Sequence, residues 1–110
     1  MSEQFEIISY KDDSGKDYFS QWVNSLDWPM KRIVFRRINR VRSGNFGDHK
    51  SVGDRVYELR LDVGPGYRIY FSKEKNYVIL LLCAGNKSSQ RKDIEKAKTF
   101  LRRFHDKKQN

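Results

Sequence analysis

"ELRLDVGPGYRIYF" (Glu58–Phe71) is the stretch whose reading decides the fold. Leu59, Leu61 and Val63 alternate with Glu58, Arg60 and Asp62, and beyond Gly64-Pro65-Gly66 the residues Tyr67, Ile69 and Phe71 alternate with Arg68 and Tyr70. Period-two alternation on both sides of a glycine-proline turn predicts an antiparallel hairpin with one apolar face. The two apolar rows share a face only if facing residue numbers sum to an even number. The simplest such register sets Val63 opposite Tyr67, Leu61 opposite Ile69 and Leu59 opposite Phe71. Asp62 would then face Arg68, and Arg60 would face Tyr70. The connection is then odd in length: Gly64-Pro65-Gly66, or two residues plus a bulge, with a type II turn that puts Gly66 at positive φ.

Outward from the hairpin, "YVILLLCA" (77–84) is apolar on both sides, as a central strand covered on both faces should be. "FEIISY" (5–10) reads as a first strand, followed by the breaker "DDSGKD" with its N-cap candidates. Phe19, Trp22, Val23 and Leu26 keep the spacing of an amphipathic helix. Asp27 and Pro29 cap and open a second helix, with Ile33, Val34, Ile38 and Val41 on its apolar side and Gly44 as its stop. These two helices predict a tight antiparallel pair. "GNFGDHKSVGD" (44–54) reads as a glycine-punctuated loop, and Ser88 or Ser89 as the cap of a last helix along Ile94, Ala97, Leu101 and Phe104. The expectation is a single α+β domain over residues 1–110 in the order β-α-α-β-β-β-α. A small antiparallel or mixed sheet carries an N-terminal helical hairpin, and residues 105–110 form a flexible polar tail.

Charge narrows the partners. Lys plus Arg number 23 against 14 Asp plus Glu, a formal +9. Residues 1–30 hold two basic residues, Lys11 and Lys16, against six acidic ones, so the excess lies beyond them. Such a field draws polyanions, of which nucleic acid is the commonest, or belongs simply to a surface kept soluble by lysine. The second helix carries Lys31, Arg32, Arg36, Arg37, Arg40 and Arg42 with no acidic residue, the composition of a phosphate-contacting surface or of a well-solvated outer face. A lone cysteine, Cys83, and two histidines supply neither a disulfide framework nor a transition-metal site, so no cofactor is expected. No leader pattern opens the chain and no apolar run is long enough to span a membrane, which predicts a cytoplasmic protein.

Alternation also gathers Glu58, Arg60, Arg68 and Tyr70 on the hairpin's polar side. The face is either an ordinary solvated one with cross-strand ion pairs or a phosphate site, since arginines on adjacent strands repel unless an anion or a carboxylate lies between them, and two guanidinium forks can bracket one phosphate. Lys87, where the central strand gives way to a helix start, could present its cation to the same anion. "DHK" (48–50) adds His49 and Lys50. "GNFG" and "GPG" lack the strand–turn–helix context of a nucleotide-binding fingerprint.

"GNFGDHKSVGDRVYELRLDVGPGYRIYF", an apolar strand and "AGNKSSQRKDIEKAK" together resemble the RelE/ParE toxin superfamily, and within it the HigB-like group related to phage Gp49. The resemblance runs from Phe5 to about Phe104. It implies a type II toxin, held in check by a HigA-like helix-turn-helix antitoxin that also takes the complex to operator DNA. Relatives of the RelE type cut mRNA on the ribosome without metal, by attack of a ribose 2′-OH on the adjacent phosphate. Carried over residue by residue, Arg60 in "ELR" and Arg68 in "GPGYR" would stabilise the transition state. Lys87 matches a "GGDK" lysine and Lys50 the lysine after "FGD". Glu58 or His49 would be the base, and Tyr70 a stacking platform or proton donor. Arg36, Arg37, Arg40 and Lys50 would hold RNA. This chain has Asn86 where "GGDK" has aspartate, so that carboxylate's role cannot be carried over. The same fold also implies alternatives: a ParE-like gyrase inhibitor, or an inactive member that binds only antitoxin and operator.

Overall fold

The computed structural model describes residues 4–108. Strand β1 (Glu6–Ser9) leads to helices α1 (Tyr18–Asn24) and α2 (Trp28–Arg42). Strands β2 (His49–Gly53), β3 (Val56–Leu61), β4 (Tyr67–Glu74) and β5 (Val78–Asn86) follow, then a 3-10 turn (Lys87–Ser89) and helix α3 (Gln90–Lys108). The caps expected for the two early helices form. The carboxylate of Asp17 accepts from the Ser20 amide at 2.9 Å and that of Asp27 from the Met30 amide at 3.1 Å, each filling an orphan donor at a helix start. At the far end of α2, the Gly44 amide closes on the Val41 carbonyl at φ +91°.

The sheet runs β1-β5-β4-β3-β2, with β1 parallel to β5 and every other neighbouring pair antiparallel. Helices α1 and α2 cover one face, where Phe19, Val34, Ile38 and Val41 meet Leu59, Ile69, Phe71 and Leu81. Helix α3 covers the other, where Ala97, Phe100 and Leu101 meet Val56, Tyr70, Leu80 and Leu82. Each fully buried Leu, Ile or Phe in these layers contributes about 1.5–3 kcal/mol. The double cover makes β5 apolar on both sides, as its composition predicted. A bulge at Leu82 on β5, opposite the consecutive Tyr70 and Phe71 of β4, turns both Leu82 and Cys83 toward α3. Among the described residues no helix is long and apolar enough to cross a membrane.

Four expectations are corrected. Residues 44–54 are not all loop, because His49–Gly53 pairs with β3 and adds a strand to the predicted order. Its hairpin turn is Asp54-Arg55, both at positive φ (54° and 65°), a conformation usually announced by Asn-Gly and here carried by residues that give no such signal. The β3–β4 register is displaced by two residues: Leu61 faces Tyr67, Arg60 faces Arg68 and Glu58 faces Tyr70. Parity fixed the faces and left the offset open; in the observed register the Tyr67 ring stands edge-on to Trp22 at 5.3 Å. The turn accordingly closes from the Gly66 amide to the Val63 carbonyl at 3.0 Å, with both Gly64 and Gly66 at positive φ. Third, Asn86 rather than Ser88 or Ser89 is the cap before α3, accepting from the Ser88 amide at 2.9 Å. Finally, the expected tail is helical through Lys108; residues 109–110 lie outside the described residues.

Candidate functional site

The displaced register builds two rows of side chains on the α3 side of the sheet. One row is Arg60 opposite Arg68 opposite Gly85; the other is Lys50 opposite Glu58 opposite Tyr70 opposite Cys83. Like charges in directly opposed positions destabilise a hairpin unless something intervenes. Here it is Glu58, whose side chain is fully buried beside both guanidinium groups. Its Oε1 lies 3.2 Å from Arg60 Nε and 3.8 Å from Arg68 Nε. Its Oε2 accepts from the Tyr70 hydroxyl at 3.1 Å and from the Gln90 amide at 2.7 Å. A buried carboxylate so fully paired holds its neighbours in place. One negative charge against two positive ones leaves the pair of forks net cationic.

Lys87 stands beside the pair. A Cβ placed on Gly66 would lie 3.5 Å from Arg68 Nη1 and 3.6 Å from Lys87 Cβ, so the glycine of the turn is the seam at which lysine and arginine meet. Lys87 and Lys50 are exposed, whereas Arg68 is mostly enclosed. The Arg68 Nη1 donates to the Tyr67 carbonyl at 3.2 Å, and its Nε is buried without a hydrogen-bond acceptor in range. The face is therefore a shallow cationic surface of Lys50, Arg60, Arg68 and Lys87, suited to a phosphate.

Several residues proposed for this site are elsewhere or otherwise engaged. His49 faces Leu59, so its side chain belongs to the α2 side of the sheet; there its Nδ1 lies 2.9 Å from the Gly47 carbonyl and its ring beside Phe46. It cannot be a base for the arginine pair, because the sheet lies between them. Glu58 is on the right face, but with no exposed surface and both oxygens occupied it cannot take a proton from a substrate hydroxyl. Tyr70 is fully buried beneath α3, so no base can stack on it. Arg37 does not reach outward either. Its guanidinium donates to the carbonyls of Arg60 at 2.7 Å, Phe46 at 3.0 Å and Asp48 at 2.9 Å, pinning the loop after α2 to the sheet. Arg36 and Arg40 are exposed.

Burial, reinforced by the charge and hydrogen bond of Glu58, raises the Tyr70 hydroxyl far above its ordinary value near 10. The folded state thus holds this proton more tightly than the unfolded chain does. Its contribution to stability is complete below pH ~10 and is lost as the pH rises further. An ultraviolet titration should show one of the six tyrosines ionising only as the fold melts. Reversible ionisation of all six with the far-ultraviolet spectrum intact would refute this.

Gln90, Asp93 and Gly85 were given no part in the site from the sequence. Gln90 opens α3 and ties it to Glu58. The Asp93 carboxylate, nearly buried, accepts from the Ser89 hydroxyl at 2.6 Å. Gly85 makes room for both: a Cβ there would lie 2.0 Å from Asp93 Oδ2 and 2.7 Å from Ser89 Oγ. Gly85→Ala should cost about 1–3 kcal/mol or more by overpacking, read as a lower urea midpoint. An unchanged midpoint would show that α3 can move off the sheet. The Gly-Asn step at the end of an apolar strand was the available signal for this close approach.

Among the described residues no group of three or more His, Cys, Asp or Glu side chains is placed to hold a metal ion. No family model matches the chain. A curated relative from Haemophilus influenzae, described as an uncharacterized protein, is 46% identical over 81 residues, covering 73% of this chain and 82% of the relative.

Proposed function

The chain belongs to the family of that Haemophilus influenzae protein, and from the geometry of its arginine pair we propose that it is a RelE-like, HigB-type toxin that cleaves mRNA on the ribosome. One observation carries the reading: two guanidinium groups held side by side over a buried carboxylate, with an exposed lysine at their flank. Such a centre suits a phosphate that gains negative charge in its transition state. In the reaction, the ribose 2′-oxygen bonds to the adjacent phosphorus as its proton passes to water. The bond to O5′ breaks, O5′ takes up a proton, and a 2′,3′-cyclic phosphate remains. Arg60 and Arg68 stabilise the pentavalent phosphorane. An arginine cannot give up its proton and a lysine can, so Lys87 is the donor to O5′. The chain itself is assigned no general base, since Glu58, His49 and Tyr70 are all committed elsewhere.

The α+β sandwich, the glycine-proline turn between the two arginine strands and the lysine at the head of α3 support the RelE-like assignment. With it come the HigA-like antitoxin, the ribosome and mRNA as partners, operator DNA through the antitoxin complex, and a cytoplasmic setting. Exposed Arg36, Arg40 and Lys50 supply the contacts to RNA phosphates. Induction of the chain in cells, with growth, mRNA 5′ ends and plasmid supercoiling followed together, tests the proposal. Growth arrest with new mRNA ends is the expected result. Loss of supercoiling with intact mRNA would replace it with gyrase inhibition, and unimpeded growth would leave an inactive member.

A further inference from the structure

Strand β1 is an edge of the sheet, and its outer side is closed at both ends but open in the middle. In a parallel ladder alternate residues bond to the neighbouring strand while those between them point away. The Glu6 amide goes to the Tyr77 carbonyl at 2.8 Å and the Tyr10 amide to the Leu81 carbonyl at 2.8 Å, so Phe5, Ile7, Ser9 and Lys11 turn outward. Phe5 is closed off by the last turn of α2, its amide donating to the Arg42 carbonyl at 2.7 Å. Lys11 is closed off by its antiparallel bridge to Asp17. Between these two plugs, the outward amides and carbonyls of Ile7 and Ser9 have no backbone partner among the described residues.

The window opens onto a groove of about 220 Å³ between β1 and α2, lined by Ile7, Ser9, Phe19, Phe35, Ile38 and Arg42 among others. Phe35 is 48% exposed although it lies within reach of this apolar lining. An exposed strand edge is a template for another strand, and proteins normally blunt it with charge, proline or a cover. Here the ends are covered and the centre is not. Backbone donors and acceptors at two-residue spacing are matched by an extended polypeptide, whereas a nucleic acid offers no such array. Arg42 in the lining, on a helix with six basic residues and no acidic one, favours acidic side chains in the incoming segment.

We propose that this window receives an extended segment of a partner polypeptide, which adds a short strand to β1 and places an apolar side chain, flanked by acidic residues, in the groove. The inference is independent of RNA cleavage, since β1 and the arginine pair are at separate places on the sheet.

The test is a selection of displayed random peptides on the full chain alone, with the enriched peptides then measured on Ile7→Pro. That variant removes the outward amide of Ile7 while leaving the bonds to β5. Enriched peptides should alternate apolar and acidic residues, slow hydrogen exchange at the Ile7 and Ser9 amides, and lose about tenfold or more in affinity for Ile7→Pro. Should Ile7→Pro fail to fold, methylating alternate backbone nitrogens of the selected peptide makes the same test from the other side, and binding should vanish. Absence of enrichment, or peptides that bind without protecting Ile7 and Ser9, overturns the proposal. Insensitivity to the methylation, or to a folded Ile7→Pro, does so as well. Protection of these two amides by a single-stranded RNA oligonucleotide instead would assign the groove to nucleic acid, and likewise overturns it.

Discussion

Arg60→Ala and Arg68→Ala should each lower ribosome-dependent mRNA cleavage by about 10²–10³-fold, the usual loss when one preorganised donor to a developing charge is removed. Neither single change should unfold the protein. In Arg68→Ala the buried Glu58 retains Arg60, Tyr70 and Gln90 as partners, and in Arg60→Ala it retains Arg68, Tyr70 and Gln90. Lysine should restore little in either place, because a point charge cannot reproduce the planar donor fork of a guanidinium. The contrast is with α2. Arg36→Ala and Arg40→Ala remove exposed contacts to RNA backbone, so each should weaken ribosome binding, lower the salt slope by about one, and leave the rate of bound complexes unchanged. Single-turnover cleavage on programmed ribosomes, with binding measured across salt concentrations, separates the two classes. Full cleavage by a folded Arg68→Ala would remove the arginine pair from the chemistry and end the nuclease reading.

The distinction between pair and helix also marks how far the sequence could be read. Alternation in 58–71 identified the hairpin and kept Arg60 and Arg68 on one face, and the caps at Asp17 and Asp27 marked both early helices. Side-chain parity repeats every two residues, so it could not tell the expected register from the observed one. That slip decides whether Arg68 faces an aspartate or another arginine. Nor could alternation say what covers the polar face. The residues of α3 that pack there include Gln90 and Asp93, polar and so absent from any apolar seam, as well as Phe100, which the narrow seam omitted. Because α3 lies over Glu58 and Tyr70, two residues that alternation marked as outward-facing are fully buried. His49 was misplaced for a different reason. A loop has no faces, so only the pairing of β2 with β3 could put it on the far side of the sheet.

Glu58 itself separates a catalyst from a counter-ion. Glu58→Ala should destabilise the fold by about 3–5 kcal/mol, since it strands two close guanidinium groups and deprives Tyr70 and Gln90 of their common acceptor. A residue that served only as a base would lose rate and leave stability nearly untouched. The sharper comparison is the double variant Glu58→Ala/Arg68→Ala. With the more enclosed cation removed as well, the repulsion that Glu58 relieves is gone, and the double loss should fall short of the sum of the single ones. Denaturant midpoints of the four proteins give that difference directly. Strict additivity would mean that Glu58 and Arg68 do not act on one another. A stable Glu58→Ala with no cleavage would restore the carboxylate to the role of base, and with it the need for a route by which substrate reaches beneath α3.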